Sequence, residues 1–63
     1  MIINGKVKSI EPCTVSELMN ILNLNVKKVV VEVNGTIVEA SSFNEFKLKE
    51  NDSIEVISFV GGG

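Results

Sequence analysis

The segment Val29-Val30-Val31-Glu32-Val33-Asn34-Gly35-Thr36-Ile37-Val38 decides the fold. Most of its residues are β-branched, and such side chains fit a pleated strand better than a helix. Asn34-Gly35 lies between the two apolar runs, and this dipeptide favours a two-residue type I′ turn because both of its residues tolerate a positive φ. The segment therefore predicts two antiparallel strands joined by a tight turn.

A second Asn-Gly pair, Asn4-Gly5, follows Met1-Ile2-Ile3 and precedes a run from Lys6 to Ile10. It predicts a second hairpin of the same kind. Lys6 and Lys8 alternate along the returning strand, a pattern typical of a strand at a sheet edge.

A short helix is predicted between the two hairpins. Thr14 followed three residues later by Glu17 is a capping box, and Cys13 and Leu18 occupy the positions of a hydrophobic staple. Asn23 is suited to a left-handed C-cap. The helix is expected from Val15 to Leu22, with Cys13 as a structural, partly buried thiol. Its apolar side chains recur at the spacing of one buried face, as Val15, Leu18, Met19 and Leu22.

Three shorter elements are predicted after the second hairpin. Ser41-Ser42 can start a single turn that carries Phe43 and Phe46. Lys47-Leu48-Lys49 is a candidate short strand. Glu50-Asn51-Asp52 is a candidate turn with Asn51 in the left-handed region.

The last strand is predicted from Ser53 to Val60, and its apolar character favours a central position. Residues 1–60 then form one α+β domain, a mixed four- to five-stranded sheet with one helix on one face. Residues 61–63 form a tail. Alternation places Ile54 and Val56 against the helix, and it places Glu55, Ile57 and Phe59 on the other face. Two alternatives stay open: Ile57 and Phe59 form an exposed partner surface, or Phe43 or Phe46 folds over them.

Composition excludes several classes of function. The chain has 63 residues, no His and a net charge of −2. Without His, and with Cys13 as the one cysteine, zinc sites and His-based catalysis are excluded, and the expected compartment is reducing and cytoplasmic. Without Arg the chain is poorly suited to bind nucleic acid. No apolar run is long enough to span a membrane. No metal or cofactor is expected on this chain.

The final Gly61-Gly62-Gly63 is the candidate reactive group. Glycine has no Cβ, so such a tail can enter a narrow channel, and three residues reach at most about 10 Å. The alternatives in which the tail has no function are a disordered extension and a cloning remnant. The terminal carboxylate is a poor electrophile and must first become a mixed anhydride such as an acyl-adenylate. Because no residue pattern in the chain is suited to ATP, a partner enzyme must activate it.

Five segments in order along the chain form a recognisable pattern: Met1-Ile2-Ile3-Asn4-Gly5-Lys6, Thr14-Val15-Ser16-Glu17-Leu18, Val29-Val30-Val31-Glu32-Val33-Asn34-Gly35, Asn51-Asp52-Ser53-Ile54-Glu55-Val56 and Phe59-Val60-Gly61-Gly62-Gly63. Together they resemble the ThiS family, the small sulfur carriers of thiamine biosynthesis in the ubiquitin-like β-grasp superfamily. Two differences from the family pattern are Glu39-Ala40, where Pro-Arg is frequent, and Asn51, where Gly is frequent.

This resemblance implies that a ThiF-type enzyme adenylates Gly63 with ATP and magnesium. Sulfur from a cysteine desulfurase or another donor then gives a thiocarboxylate, which a ThiG-type thiazole synthase consumes. Gly62 and Gly63 match the family diglycine, Gly61 is a frequent third glycine, and Ile57, Phe59 and Val60 form the implied docking patch. Two alternatives remain: the sulfur carrier of molybdopterin synthase, and a ubiquitin-like modifier or interaction module.

Overall fold

The computed structural model describes residues 1–59, which form one five-stranded sheet and one α-helix. The strands, numbered along the chain, are β1 Ile2–Ile3, β2 Lys6–Val7, β3 Val29–Val33, β4 Thr36–Val38 and β5 Ser53–Ser58, and the helix is α1 Val15–Ile21.

The sheet order is β2-β1-β5-β3-β4, so the last strand lies at the centre. Strand β5 runs parallel to β1, with Ile3 beside Ile54, and antiparallel to β3, with Val31 beside Val56. The two hairpins flank it. The predicted mixed sheet and the central last strand are therefore confirmed.

Both Asn-Gly turns have the predicted backbone. Asn4 and Asn34 each have a φ of 51°, and Gly5 and Gly35 follow with φ values of 81° and 87°. Positive φ at both central residues is the condition for a type I′ turn. The first hairpin is shorter than predicted, because β2 ends at Val7; the Lys8 N–H still donates to the Met1 carbonyl at 2.8 Å.

Helix α1 begins and ends at the predicted signals. The Glu17 N–H donates to Thr14 Oγ1 at 3.1 Å, and the Thr14 N–H donates to Glu17 Oε1 at 2.8 Å, which completes the capping box. At the other end Asn23 has a φ of 60°, and the Leu24 N–H returns to the Met19 carbonyl at 2.9 Å. This is a Schellman motif, which satisfies carbonyls that the helix end leaves free.

The predicted strand Lys47-Leu48-Lys49 is wrong. Its backbone pairs with the segment before α1, where Lys47 forms an isolated bridge with Thr14 and the Leu48 N–H donates to the Cys13 carbonyl at 2.7 Å. Leu48 is buried in the core. The segment therefore anchors the N-terminus of α1 and does not add to the sheet.

The turn before β5 also differs from the prediction. The non-glycine residues with positive φ within residues 1–59 are three asparagines that do not include Asn51. The turn is closed instead by the Asp52 N–H, which donates to the Lys49 carbonyl at 3.1 Å, while Asp52 Oδ2 accepts from the Lys49 N–H at 2.7 Å. A carboxylate that caps the turn removes the need for a left-handed residue at position 51.

One hydrophobic core lies between α1 and the sheet. Phe43 belongs to it, and it follows a 3-10 turn, Ala40–Ser42, that starts one residue before the prediction. No helix within residues 1–59 is long and apolar enough to cross a membrane. The fully buried side chains include Val15, Leu18, Met19, Val31, Leu48 and Ile54.

Candidate functional site

Strand β5 leads to the candidate reactive tail and is held firmly at its start. The Ile2 N–H donates to the Asp52 carbonyl at 3.0 Å, and the Asn34 N–H donates to the Ser53 carbonyl at 2.7 Å. The strand therefore enters the sheet with hydrogen bonds on both sides. At its far end the Phe59 N–H donates to the Lys28 carbonyl at 2.7 Å, so pairing with the β3 side continues to the last described residue.

The side chain of Asn34 connects its hairpin to the start of β5. Its Oδ1 accepts from the Ser53 N–H at 2.9 Å, and its Nδ2 donates to Asp52 Oδ1 at 3.0 Å. The Asn34 hydrogen bond, followed by that of the Lys49 N–H, holds the pKa of Asp52 below its ordinary value of 3.8. The ionised carboxylate of Asp52 thus fixes both the turn and the second hairpin.

The side chain of Asn4 plays the matching part on the other side of β5. The Asn4 N–H donates to the Ile54 carbonyl at 2.8 Å, and Asn4 Oδ1 accepts from the Val56 N–H at 2.8 Å. The side-chain oxygen takes the place of a strand carbonyl at the point where the first hairpin turns away. Strand β5 is therefore bracketed by the asparagines of both turns.

The sheet face opposite α1 is apolar and open to solvent. Ile57 is 55% exposed and Phe59 is 58% exposed, so neither is covered by Phe43, which is buried in the core, or by Phe46. Of the two alternatives from the sequence, the exposed patch is the one observed. We call this surface the outer face; cross-strand pairing and alternation assign it Ile2, Val7, Val30, Glu32, Ile37, Ser53, Glu55, Ile57 and Phe59.

Two carboxylates lie side by side within the outer face. Glu32 on β3 is directly opposite Glu55 on β5, and Ile37 lies opposite Glu32 on the next strand. Like charges at directly opposed positions are unfavourable in a sheet. This pair gives a mostly apolar surface a local negative charge.

Cys13 is not an activated thiol. Burial raises its pKa, and the nearby Glu17 carboxylate raises it further, so the thiol stays protonated at neutral pH. Within residues 1–59 no group of three or more His, Cys, Asp or Glu side chains is placed to hold a metal ion. The described part of the chain therefore offers a mostly apolar surface with an acidic pair and a fixed central strand.

Some residues of the candidate site lie within the described residues 1–59, and others lie after them. Ile57 and Phe59 lie together along β5 and its end, on the outer face. Val60, Gly61, Gly62 and Gly63 lie outside the described residues.

Sequence reasoning missed the bonds of Asn4 and Asn34 to β5 and the Glu32–Glu55 pair. Asn4 and Asn34 carried a signal for turns alone, because an Asn-Gly dipeptide says nothing about which distant backbone its side chain meets. The Glu32–Glu55 pair depends on the register between β3 and β5. Alternation in the sequence placed Glu55 on the outer face but could not supply its neighbour.

A central last strand parallel to the first, with one helix across one face, defines a ubiquitin-like β-grasp protein. The crystal structure of the thiamine biosynthesis protein ThiS from Geobacter metallireducens matches with a TM-score of 0.78 and 35% sequence identity. The match covers 98% of this chain and 96% of that chain.

The ThiS family model matches residues 1–63, and the chain belongs to the ThiS family. The sulfur carrier protein ThiS of Bacillus subtilis is 38% identical over 50 residues, which is 79% of this chain and 76% of that protein. A thiazole synthase of Paramagnetospirillum magneticum is 34% identical over 64 residues, 100% of this chain but 20% of that protein.

Proposed function

We propose that this chain is a sulfur carrier that supplies the thiazole ring of thiamine with sulfur through a thiocarboxylate at Gly63. The observation that carries the proposal is the ThiS family match over all 63 residues, up to and including the three terminal glycines. The relative from Bacillus subtilis is a sulfur carrier protein, which supports the same role. The match to ThiS favours this role over the molybdopterin carrier and over a ubiquitin-like modifier.

The proposed chemistry takes place at the terminal carboxylate. A ThiF-type enzyme transfers AMP from ATP, with magnesium, to a Gly63 carboxylate oxygen, and pyrophosphate leaves. Sulfide, or the persulfide of a cysteine desulfurase or another donor, then displaces AMP. Attack by sulfide gives the Gly63 thiocarboxylate directly, whereas attack by a persulfide gives an acyl disulfide that a thiol reduces to release the thiocarboxylate. In this proposal the chain is a co-substrate in both steps, and the partner enzymes are the catalysts.

The described structure supports the proposed role of the chain as a carrier. Strand β5 is held on both sides at its start and by the β3 side to Phe59, so the chain is fixed to the sheet up to four positions before Gly63. A ThiG-type thiazole synthase is the proposed acceptor, since thiazole synthases contain a region similar to this chain. ATP is an intracellular nucleotide, so we place the reaction in the cytoplasm.

Intact-protein mass spectrometry tests the proposal. The chain is incubated with a ThiF-type enzyme, ATP, magnesium and a sulfur donor, and replacement of one oxygen by sulfur should add about 16 Da. A Cys13→Ala variant should gain the same mass, since the sulfur is not placed on Cys13. A persulfide at Cys13 of the parent chain would instead add about 32 Da. A chain that lacks Gly63 should gain none. If the full chain keeps its mass while the partner enzymes are shown to be active, the carrier role is wrong.

A further inference from the structure

Strand β5 changes from a central strand to an edge strand before it ends. Its odd-numbered residues direct their backbone groups toward β3, as the bonds at Ser53 and Phe59 show. Its even-numbered residues direct theirs toward β1. On that side the Ile54 carbonyl accepts from the Asn4 N–H, and the Val56 N–H donates to Asn4 Oδ1.

After the Val56 N–H, the backbone groups on the β1 side of β5 have no hydrogen-bond partner within residues 1–59. Pairing with β1 ends at Ile3 beside Ile54, because the chain turns away at Asn4-Gly5. No backbone or side-chain group in the described part of the chain bonds the carbonyl of Val56 or the N–H and carbonyl of Ser58. Ser58 itself is exposed to solvent.

An open stretch of donors and acceptors on a strand is a template for a further strand, since a partner backbone satisfies all of them at once. The open edge lies on the same strand as exposed Ile57, and Phe59 follows directly. An added strand would occupy the place that a longer β1 would have filled, about 4.8 Å from β5. The site also lies directly before the four residues that lead to Gly63.

We propose that the open edge of β5, formed by the Val56 carbonyl and the Ser58 N–H and carbonyl, binds an extended backbone segment of thiazole synthase. The inference rests on the proposed function and adds a contact that recognises the backbone of this chain. Thiazole synthase is the chosen partner because regions similar to this chain occur within thiazole synthase chains. In the complex a partner carbonyl accepts from the Ser58 N–H and aligns the added strand with β5.

A proline at position 58 tests the contact. Proline has no N–H, and it is tolerated at strand edges where that N–H is unpaired, so Ser58→Pro should fold. Its affinity for the thiazole synthase of the same organism should fall about tenfold or more, because the partner carbonyl is left unsatisfied. The matched control Ser58→Ala keeps the N–H and should bind within about twofold of the parent chain. Isothermal titration calorimetry measures all three, and thermal melting confirms that each is folded.

Two further measurements keep the test decisive if proline disturbs the strand. A synthetic chain with N-methylalanine in place of Ser58, compared with Ser58→Ala, removes the same N–H without a ring. Amide hydrogen exchange on the parent chain is independent of any variant: the Ser58 amide should exchange faster than that of Phe59 when free and become protected when bound.

Equal affinity of the N-methyl and alanine chains, an unprotected Ser58 amide in the complex, or no binding by the parent chain would each overturn the proposal. The gain of about 16 Da tests the carrier role separately, because adenylation and sulfur transfer do not require thiazole synthase.

Discussion

At the scale of single residues, the polar side chains that matter most are those that replace a missing backbone partner. Thr14 and Glu17 do so at the start of α1, and Asn4 and Asn34 do so along β5. Each satisfies an N–H that the local chain leaves free. A small domain has little stability in reserve, roughly 3–5 kcal/mol for a chain of this size without a staple, so single contacts of this kind are measurable.

Loss of the helix cap should lower stability. In Thr14→Ala the Glu17 N–H loses its acceptor, and the expected cost is about 1 kcal/mol. For a domain of this size that corresponds to a fall of about 4–8 °C in melting temperature. Thr14→Ser keeps a hydroxyl at the cap and serves as the control, with a melting temperature near that of the parent chain. Equal melting of Thr14→Ala and the parent chain would remove the capping argument.

Asp52 predicts a pH dependence of stability. Because its pKa is lower in the folded chain than the ordinary 3.8, its contribution is fully present above the ordinary value and is lost as the pH falls through the folded pKa. Asp52→Asn removes this charge but keeps a similar shape. The variant should be less stable than the parent chain at pH 7, and urea titrations should show the two stabilities converging at acid pH. A constant difference at all pH values would show that the carboxylate charge is not the cause.

At the scale of elements, the first hairpin stabilises β5 through one side chain. Asn4→Gly keeps the freedom for a positive φ but leaves the Val56 N–H without Asn4 Oδ1. We expect a loss of about 1 kcal/mol and faster hydrogen exchange at the Val56 amide. The Ile57 amide, on the β3 side of the strand, is the internal control. If the Val56 amide stays as protected as in the parent chain, the Asn4 bond does not hold the strand.

The elements also show what sequence could and could not predict. Both Asn-Gly hairpins, α1 with its caps, and the alternation along β5 follow from local preferences, and all are found. The segment 47–49 was mistaken for a strand because Lys47-Leu48-Lys49 alternates like one. Its backbone bonds to Cys13 and Thr14 instead, and that pairing depends on the tertiary fold. The open edge of β5 had no local signal either, since it results from where the first hairpin turns away.

At the scale of the whole molecule, the described domain accounts for its own stability. The core and every cap described above lie within residues 1–59. A chain that ends at Phe59 should therefore melt within about 2 °C of the full chain, as circular dichroism would measure. A large fall in melting temperature would show that residues after Phe59 contribute to the folded domain. A chain that ends at Val60 would then test the division between residues 60 and 61 expected from sequence.

The surface of the described domain fits the proposed role. The domain has no activated thiol among its described residues, yet it presents an apolar outer face with the Glu32–Glu55 pair. A basic partner is favoured by that charge. This surface is suited to binding by a partner enzyme, as the proposed role requires.

The central claim is that sulfur carried by Gly63 becomes the sulfur of the thiazole ring. The most direct measurement loads the chain with isotopically labelled sulfur, isolates it, adds thiazole synthase with its other substrates, and determines the label in the thiazole product by mass spectrometry. The account predicts a labelled product and a chain returned to its unmodified mass. An unlabelled product formed while the chain keeps its label would contradict it.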